Sequence, residues 1–104
     1  MTDATEVVLA DIATERAAQD AIFGEQNLPD GTGGPYFEAA ADNHRRECDA
    51  AFDCGEGTFR HVFLEEVYEA MAESDPAKLR AELVQAVAVG VKWIEAIDRR
   101  NANG

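Results

Sequence analysis

Between Thr58 and Arg100 the sequence carries one strong turn signal, Ser74-Asp75-Pro76, and the segments on either side of it are dense in apolar, helix-compatible residues. No other feature restricts the fold so much. Thr58 suits the N-cap of a helix running through Phe59, Val62, Phe63, Glu66, Tyr68 and Met71 to about Glu73, because its hydroxyl can accept from a free first-turn N–H. Asp75 as the next N-cap, with Pro76 at the first helical position where its missing N–H costs nothing, starts a second helix. Nothing halts that helix before about Arg100, and Arg99 and Arg100 suit the negative end of its dipole. Two helices joined by so short a turn form an antiparallel hairpin.

Upstream, Val8, Leu9, Ile12, Ala13, Arg16, Ala17, Gln19 and Phe23 recur at three- and four-residue steps, which predicts an amphipathic helix from about Glu6 to Phe23, stopped by Gly24. The stretch Asn27-Leu28-Pro29-Asp30-Gly31-Thr32-Gly33-Gly34-Pro35 is rich in turn residues and reads as a loop and a candidate lid. A polar helix from about Phe37 to Phe52 follows, ended by Gly55 and Gly57. The expected architecture is all-α, a four-helix bundle in one domain over residues 1–104, with its core drawn from Phe59 to Ile97, where aliphatic residues concentrate.

Charge narrows the functional classes. A formal net charge of -12 repels a nucleic-acid backbone, whose binding rests on Lys and Arg contacts, so no nucleic-acid polymer is expected as partner. A small polyphosphate remains compatible if divalent cations sit between protein carboxylates and phosphates, although the same acidity also serves plain solubility. No apolar run approaches the ~20 residues of a membrane helix and Met1 to Glu6 do not resemble a signal peptide, so a cytoplasmic protein without membrane contact is expected. Cys48 and Cys54 are too few for a disulfide framework and are expected as thiols.

The third helix reads Leu64-Glu65-Glu66-Val67-Tyr68-Glu69-Ala70, and the fourth contributes Glu82-Leu83-Val84-Gln85. At ~100° per residue, Glu66 and Glu69 share one helix face with Phe59, Val62, Phe63 and Ala70. Glu69 precedes the turn by about as much as Glu82 follows it, and Glu66 is similarly matched with Gln85, so all four side chains can converge. Clustered, partly buried acids resist ionising unless a cation lies between them, and hard divalent ions such as Mg²⁺ or Mn²⁺ take oxygen ligands of this kind. The blander reading places the acids in surface salt bridges with Lys78, Arg80 or Lys92.

This pattern, E-E-x-x-E followed after a spacer by E-x-x-D, resembles the hallmark of the MazG-like all-α nucleoside triphosphate pyrophosphohydrolases. Gly57-Thr58-Phe59, the run from Glu82 to Val89, the tail Trp93-Ile94-Glu95-Ala96-Ile97-Asp98, and the N-terminal Glu15-Arg16-Ala17-Ala18-Gln19 and Phe23-Gly24-Glu25-Gln26 are similar to the small phage and actinobacterial branch, so the likeness spans most of the chain. The resemblance implies metal ligands at Glu66, Glu69 and Glu82, with Gln85 standing where the motif has Asp; an amide oxygen can ligate Mg²⁺ but brings no charge. It further implies metal-dependent hydrolysis of a (deoxy)nucleoside triphosphate to the monophosphate and pyrophosphate, with water attacking the α-phosphorus and Glu65 or a ligand such as Glu66 accepting its proton. Phage relatives acting on purine nucleotides point to dGTP and dATP, and a phage-encoded protein would work in the host cytoplasm.

Gln19, Phe23, Gln26 and Trp93 are the candidate nucleotide contacts, since rings stack on bases and amides read their edges, although Phe23 and Trp93 also suit a helical core. Arg45 and Arg46 can reach phosphates, but on an exposed polar helix such side chains more often face water. His44, Cys48, Cys54 and His61 are zinc-type ligands in a spacing that matches no familiar zinc motif. The alternative function is a helical nucleotide-binding or interaction module that has lost turnover, a reading that Gln85 keeps open. The fourth helix has Leu79, Leu83, Gly90, Ile94 and Ile97 on one face and Val84, Ala88 and Val91 on the other, which predicts a homodimer or homotetramer that covers both.

Overall fold

The computed structural model, which describes residues 3–103, shows four helices, three of them begun by a side-chain cap from a residue next to the helix. The helices are α1 (Ala4–Phe23), α2 (Pro35–Asp53), α3 (Phe59–Ala72) and α4 (Pro76–Asn103), with no strand among the described residues. Asp3 starts α1 by accepting from Glu6 N–H at 3.0 Å. Gly24, at φ 67, ends it with its N–H donated to the Asp20 carbonyl. Thr58 caps α3 in a reciprocal box: its hydroxyl accepts from the His61 N–H at 3.3 Å, and its own N–H donates to His61 Nδ1 at 3.2 Å. His61 thus fills the role usually taken by Glu or Gln. Asp75 accepts from Lys78 N–H at 3.0 Å and starts α4 at Pro76.

Helix boundaries differ from the sequence expectation by a few residues, most informatively at the start of α2. Pro35 lies in the first turn of α2 instead of closing the preceding loop, because its fixed φ is already helical and its missing N–H is not needed there. The loop's second half is also tied down: Thr32 Oγ1 donates to the Glu73 carbonyl at 2.6 Å, and Gly33 N–H donates to the Met71 carbonyl at 2.8 Å. These bonds satisfy carbonyls at the end of α3 that have no partner within the helix.

The chain groups into two compact units, residues 31–90 and residues 3–30 with 91–103. In the first, α2 packs on α3, and the buried positions are Ala41 and Cys48 of α2, Ala70 of α3, and Leu79 and Ala86 of α4. Small side chains at three of these five allow helix backbones to approach closely. The beginning of α4 returns along α3, with Gly90 beside the Phe63 ring. In the second unit Val8 is almost fully buried and Val91 nearly so, while Thr5 Oγ1 donates to Glu95 Oε2 at 3.2 Å.

The amphipathic reading of α1 is only partly matched. Val8 is buried and Ile12 half-buried, but Leu9 and Phe23 are exposed, as are Val7 and Ile22. No helix among the described residues is long and apolar enough to cross a membrane.

Candidate metal centre

The α3–α4 hairpin brings Glu66, Glu69 and Glu82 together. Each is half-buried, and one carboxylate oxygen from each lies within 4.8 Å of the others. Glu69 lies three positions after Glu66, so they stand one turn apart on α3, and the short turn at 73–75 sets Glu82 of α4 against them. The turn holds its own shape through the Glu73 carboxylate, which accepts from Asp75 N–H at 3.0 Å.

Two of the carboxylate oxygens, Glu66 Oε2 and Glu82 Oε2, are buried and accept no hydrogen bond. A buried acceptor without a donor is costly, and more so when it is charged. The cost shows in the titration of the cluster. Burial, followed by the charges of Glu65 and Glu82, raises the Glu66 carboxyl above its ordinary value. Burial again leads for Glu69, followed by Glu66, Glu82 and Glu65, and only Arg45 favours its charged form. The donor set is three carboxylates, which fits a hard, oxygen-seeking cation such as Mg²⁺ or Mn²⁺ better than zinc or iron. No ion pair joins these three acids to Lys78, Arg80 or Lys92 among the described residues.

Beside the cluster an open cleft of about 480 Å³ is lined by Glu38, Ala41, Asp42 and Arg45 of α2, Glu69 and Ala72 of α3, and Glu82 of α4. Arg45 Nη2 donates to Asp42 Oδ1 at 2.7 Å. Sequence reasoning weighted Arg45 toward bulk water and did not single out Glu38 or Asp42. Their spacing with Ala41, at i, i+3, i+4 and i+7, marks one face of α2 and was the available signal.

Of the other expected site residues, Gln85 sits three positions beyond Glu82 on α4 and is exposed. Glu65 is half-buried, and burial, reinforced by Glu65, pushes the Cys48 thiol up to about 11. Gln19, Phe23, Gln26 and Trp93 all lie in the unit formed by residues 3–30 and 91–103. There Gln19 accepts from Arg16 at 3.0 Å, Phe23 is exposed at the end of α1, Trp93 is half-buried, and Gln26 lines an open cavity with Arg16, Asp20, Gly24 and Glu25.

The zinc-type residues are otherwise engaged. His44 stacks on Tyr68 with ring centroids 4.2 Å apart, His61 belongs to the α3 cap, Cys48 is buried and Cys54 exposed. In comparisons with known protein families, curated proteins and solved structures, nothing matches the chain.

Proposed function

We propose that this protein is a divalent-metal-dependent hydrolase of the MazG-like kind, converting a (deoxy)nucleoside triphosphate to its monophosphate and pyrophosphate. The observation that carries the reading is the convergence of Glu66, Glu69 and Glu82 with two buried oxygens that no protein donor serves. Carboxylates in that condition have a use if they hold a cation, and a cation held by acids is what lets so acidic a chain receive a polyphosphate. When bound, Mg²⁺ or Mn²⁺ would neutralise phosphate charge and polarise the scissile bond. Glu66, Glu69 and Glu82 would hold it, and Gln85, three positions beyond Glu82, is the proposed further oxygen ligand. Glu65 and Glu66 are the candidate acceptors for the proton of the attacking water.

The same reading includes assembly of copies in a dimer or tetramer. Leu83, Val84, Val87 and Ile94 of α4 are exposed in the single chain, and covering them with a second copy removes that apolar surface from water.

The test is release of pyrophosphate from the standard nucleoside triphosphates, dGTP and dATP first, with Mg²⁺ and with Mn²⁺. Metal-dependent release that disappears in Glu66→Gln and Glu69→Gln supports the proposal, and no release from any of them refutes turnover. The uncharged, exposed Gln85 favours a second reading, a nucleotide-binding module without turnover. Nucleotide binding with no pyrophosphate release would select it.

A further inference from the structure

The cleft beside the carboxylate cluster has four acids in its lining, Glu38, Asp42, Glu69 and Glu82, and Arg45 is its one basic residue among the described residues. A cation held by Glu66, Glu69 and Glu82 would draw the polyphosphate toward α3 and α4, and the part of the anion farther from the metal would then enter a cleft whose acids repel it. Arg45 is the group that can receive it. Its guanidinium presents several N–H donors in a plane suited to phosphate oxygens.

From this placement we infer that Arg45 is the phosphate-binding residue of the cleft, holding the end of a triphosphate or the departing pyrophosphate against α2, while Asp42 keeps the guanidinium in position when the cleft is empty. The inference rests on the metal-site reading above. Exchange of partners is easy: the Arg45–Asp42 pair is largely solvent-exposed, with half or more of each side chain accessible, and such pairs contribute little to stability. Ala41 and Ala72 leave the middle of the cleft free of bulky side chains, which suits a compact, highly charged ligand better than a nucleobase.

Arg45→Gln removes the charge while keeping a polar, helix-compatible side chain, and Arg45→Lys retains the charge without the planar fork. The probes are inorganic pyrophosphate titrated calorimetrically in the presence of Mg²⁺, and Mn²⁺ followed by its effect on melting temperature. Arg45→Gln should weaken pyrophosphate binding roughly tenfold or more, the loss expected for one charge-assisted pair, and should raise KM for the triphosphate more than it lowers kcat. Arg45→Lys should restore most of the affinity. Stabilisation by Mn²⁺ should persist or grow in Arg45→Gln, because a cation beside the acids has been removed. Wild-type pyrophosphate affinity in Arg45→Gln, with stabilisation by Mn²⁺ intact, overturns the role of Arg45 alone. Loss of Mn²⁺ stabilisation in that variant overturns it in favour of a structural role. Absence of Mn²⁺ stabilisation in the wild-type protein overturns the metal reading and this inference with it.

Discussion

Glu66→Gln should stabilise the metal-free protein, although it removes a residue proposed to be essential. Carboxylate oxygens of Glu66, Glu69 and Glu82 lie within 4.8 Å of one another. At that separation two unit charges repel by about 0.9 kcal/mol in a water-like dielectric and by about 3.5 kcal/mol at an effective dielectric of 20. The cluster is half-buried and open to a cleft, so the lower figure is the safer guide. Removing the charge of Glu66 relieves two such pairs, about 1–2 kcal/mol after partial protonation of the acids is allowed for. The amide also adds an N–H donor to a group in which Glu66 Oε2 and Glu82 Oε2 have none. For a chain of this size that gain corresponds to a rise of ~4–16 °C in melting temperature. Thermal unfolding followed by circular dichroism in excess chelator, for wild type and Glu66→Gln at neutral pH and low salt, gives the comparison. With Mn²⁺ in excess the order should invert, because the variant has lost a ligand. A lower melting temperature for Glu66→Gln in chelator would mean that the acids do not repel one another as described, and the electrostatic argument for a cation would fall.

The pH dependence of that difference follows from the raised carboxyls. Glu66 binds its proton more tightly in the folded state than its ordinary 4.5, so the stability it contributes is present at pH below that value and is lost as pH rises through the folded value. In chelator, the advantage of Glu66→Gln should therefore be greatest near neutrality and shrink as the pH falls toward about 4.5 and below it, where the protonated glutamic acid and glutamine are alike in charge; a constant gap across that range would contradict it. Gly33→Ala should destabilise by on the order of 1–3 kcal/mol, since Gly33 has φ 92 and a Cβ there would come 2.9 Å from Ser74 Cβ, whereas Gly31→Ala, at φ 70 with nothing within 4 Å, meets only the backbone penalty and should cost less in urea denaturation. Thr58→Ala removes the α3 cap and should cost about 1 kcal/mol in the same assay, with no change in Mn²⁺ affinity because the cluster lies beyond the first turn of α3.

The elements that sequence predicted best are those fixed by short-range chemistry. Thr58, Asp75 and Pro76 each decide a helix start through bonds or dihedral limits within a few residues, and all three stand where the turn chemistry placed them. The convergence of Glu66, Glu69 and Glu82 was legible for a related reason, because a short turn fixes which positions on two antiparallel helices face one another. Arg45 was not. Which face of α2 meets the hairpin depends on the tertiary packing of Ala41, Cys48 and Ala70, and a polar helix carries only a weak hydrophobic signal of its own orientation. The hydroxyl and amide that tie Thr32 and Gly33 to the end of α3 were equally invisible, since they join residues about 40 positions apart. On α1, spacing predicted a buried stripe, but a neighbouring helix covers only part of it and leaves Leu9 and Phe23 in solvent.

Whether Glu66, Glu69 and Glu82 form a cation site is decided by titrating Mn²⁺ into chelator-stripped protein in a calorimeter, with Glu69→Gln measured beside the wild type. Binding should be saturable in the wild type and lost or weakened at least tenfold in the variant, whose helices remain intact by circular dichroism. Binding that is absent from the wild type, or that is identical in Glu69→Gln, would contradict the cation site and return the three carboxylates to a solvated acidic surface.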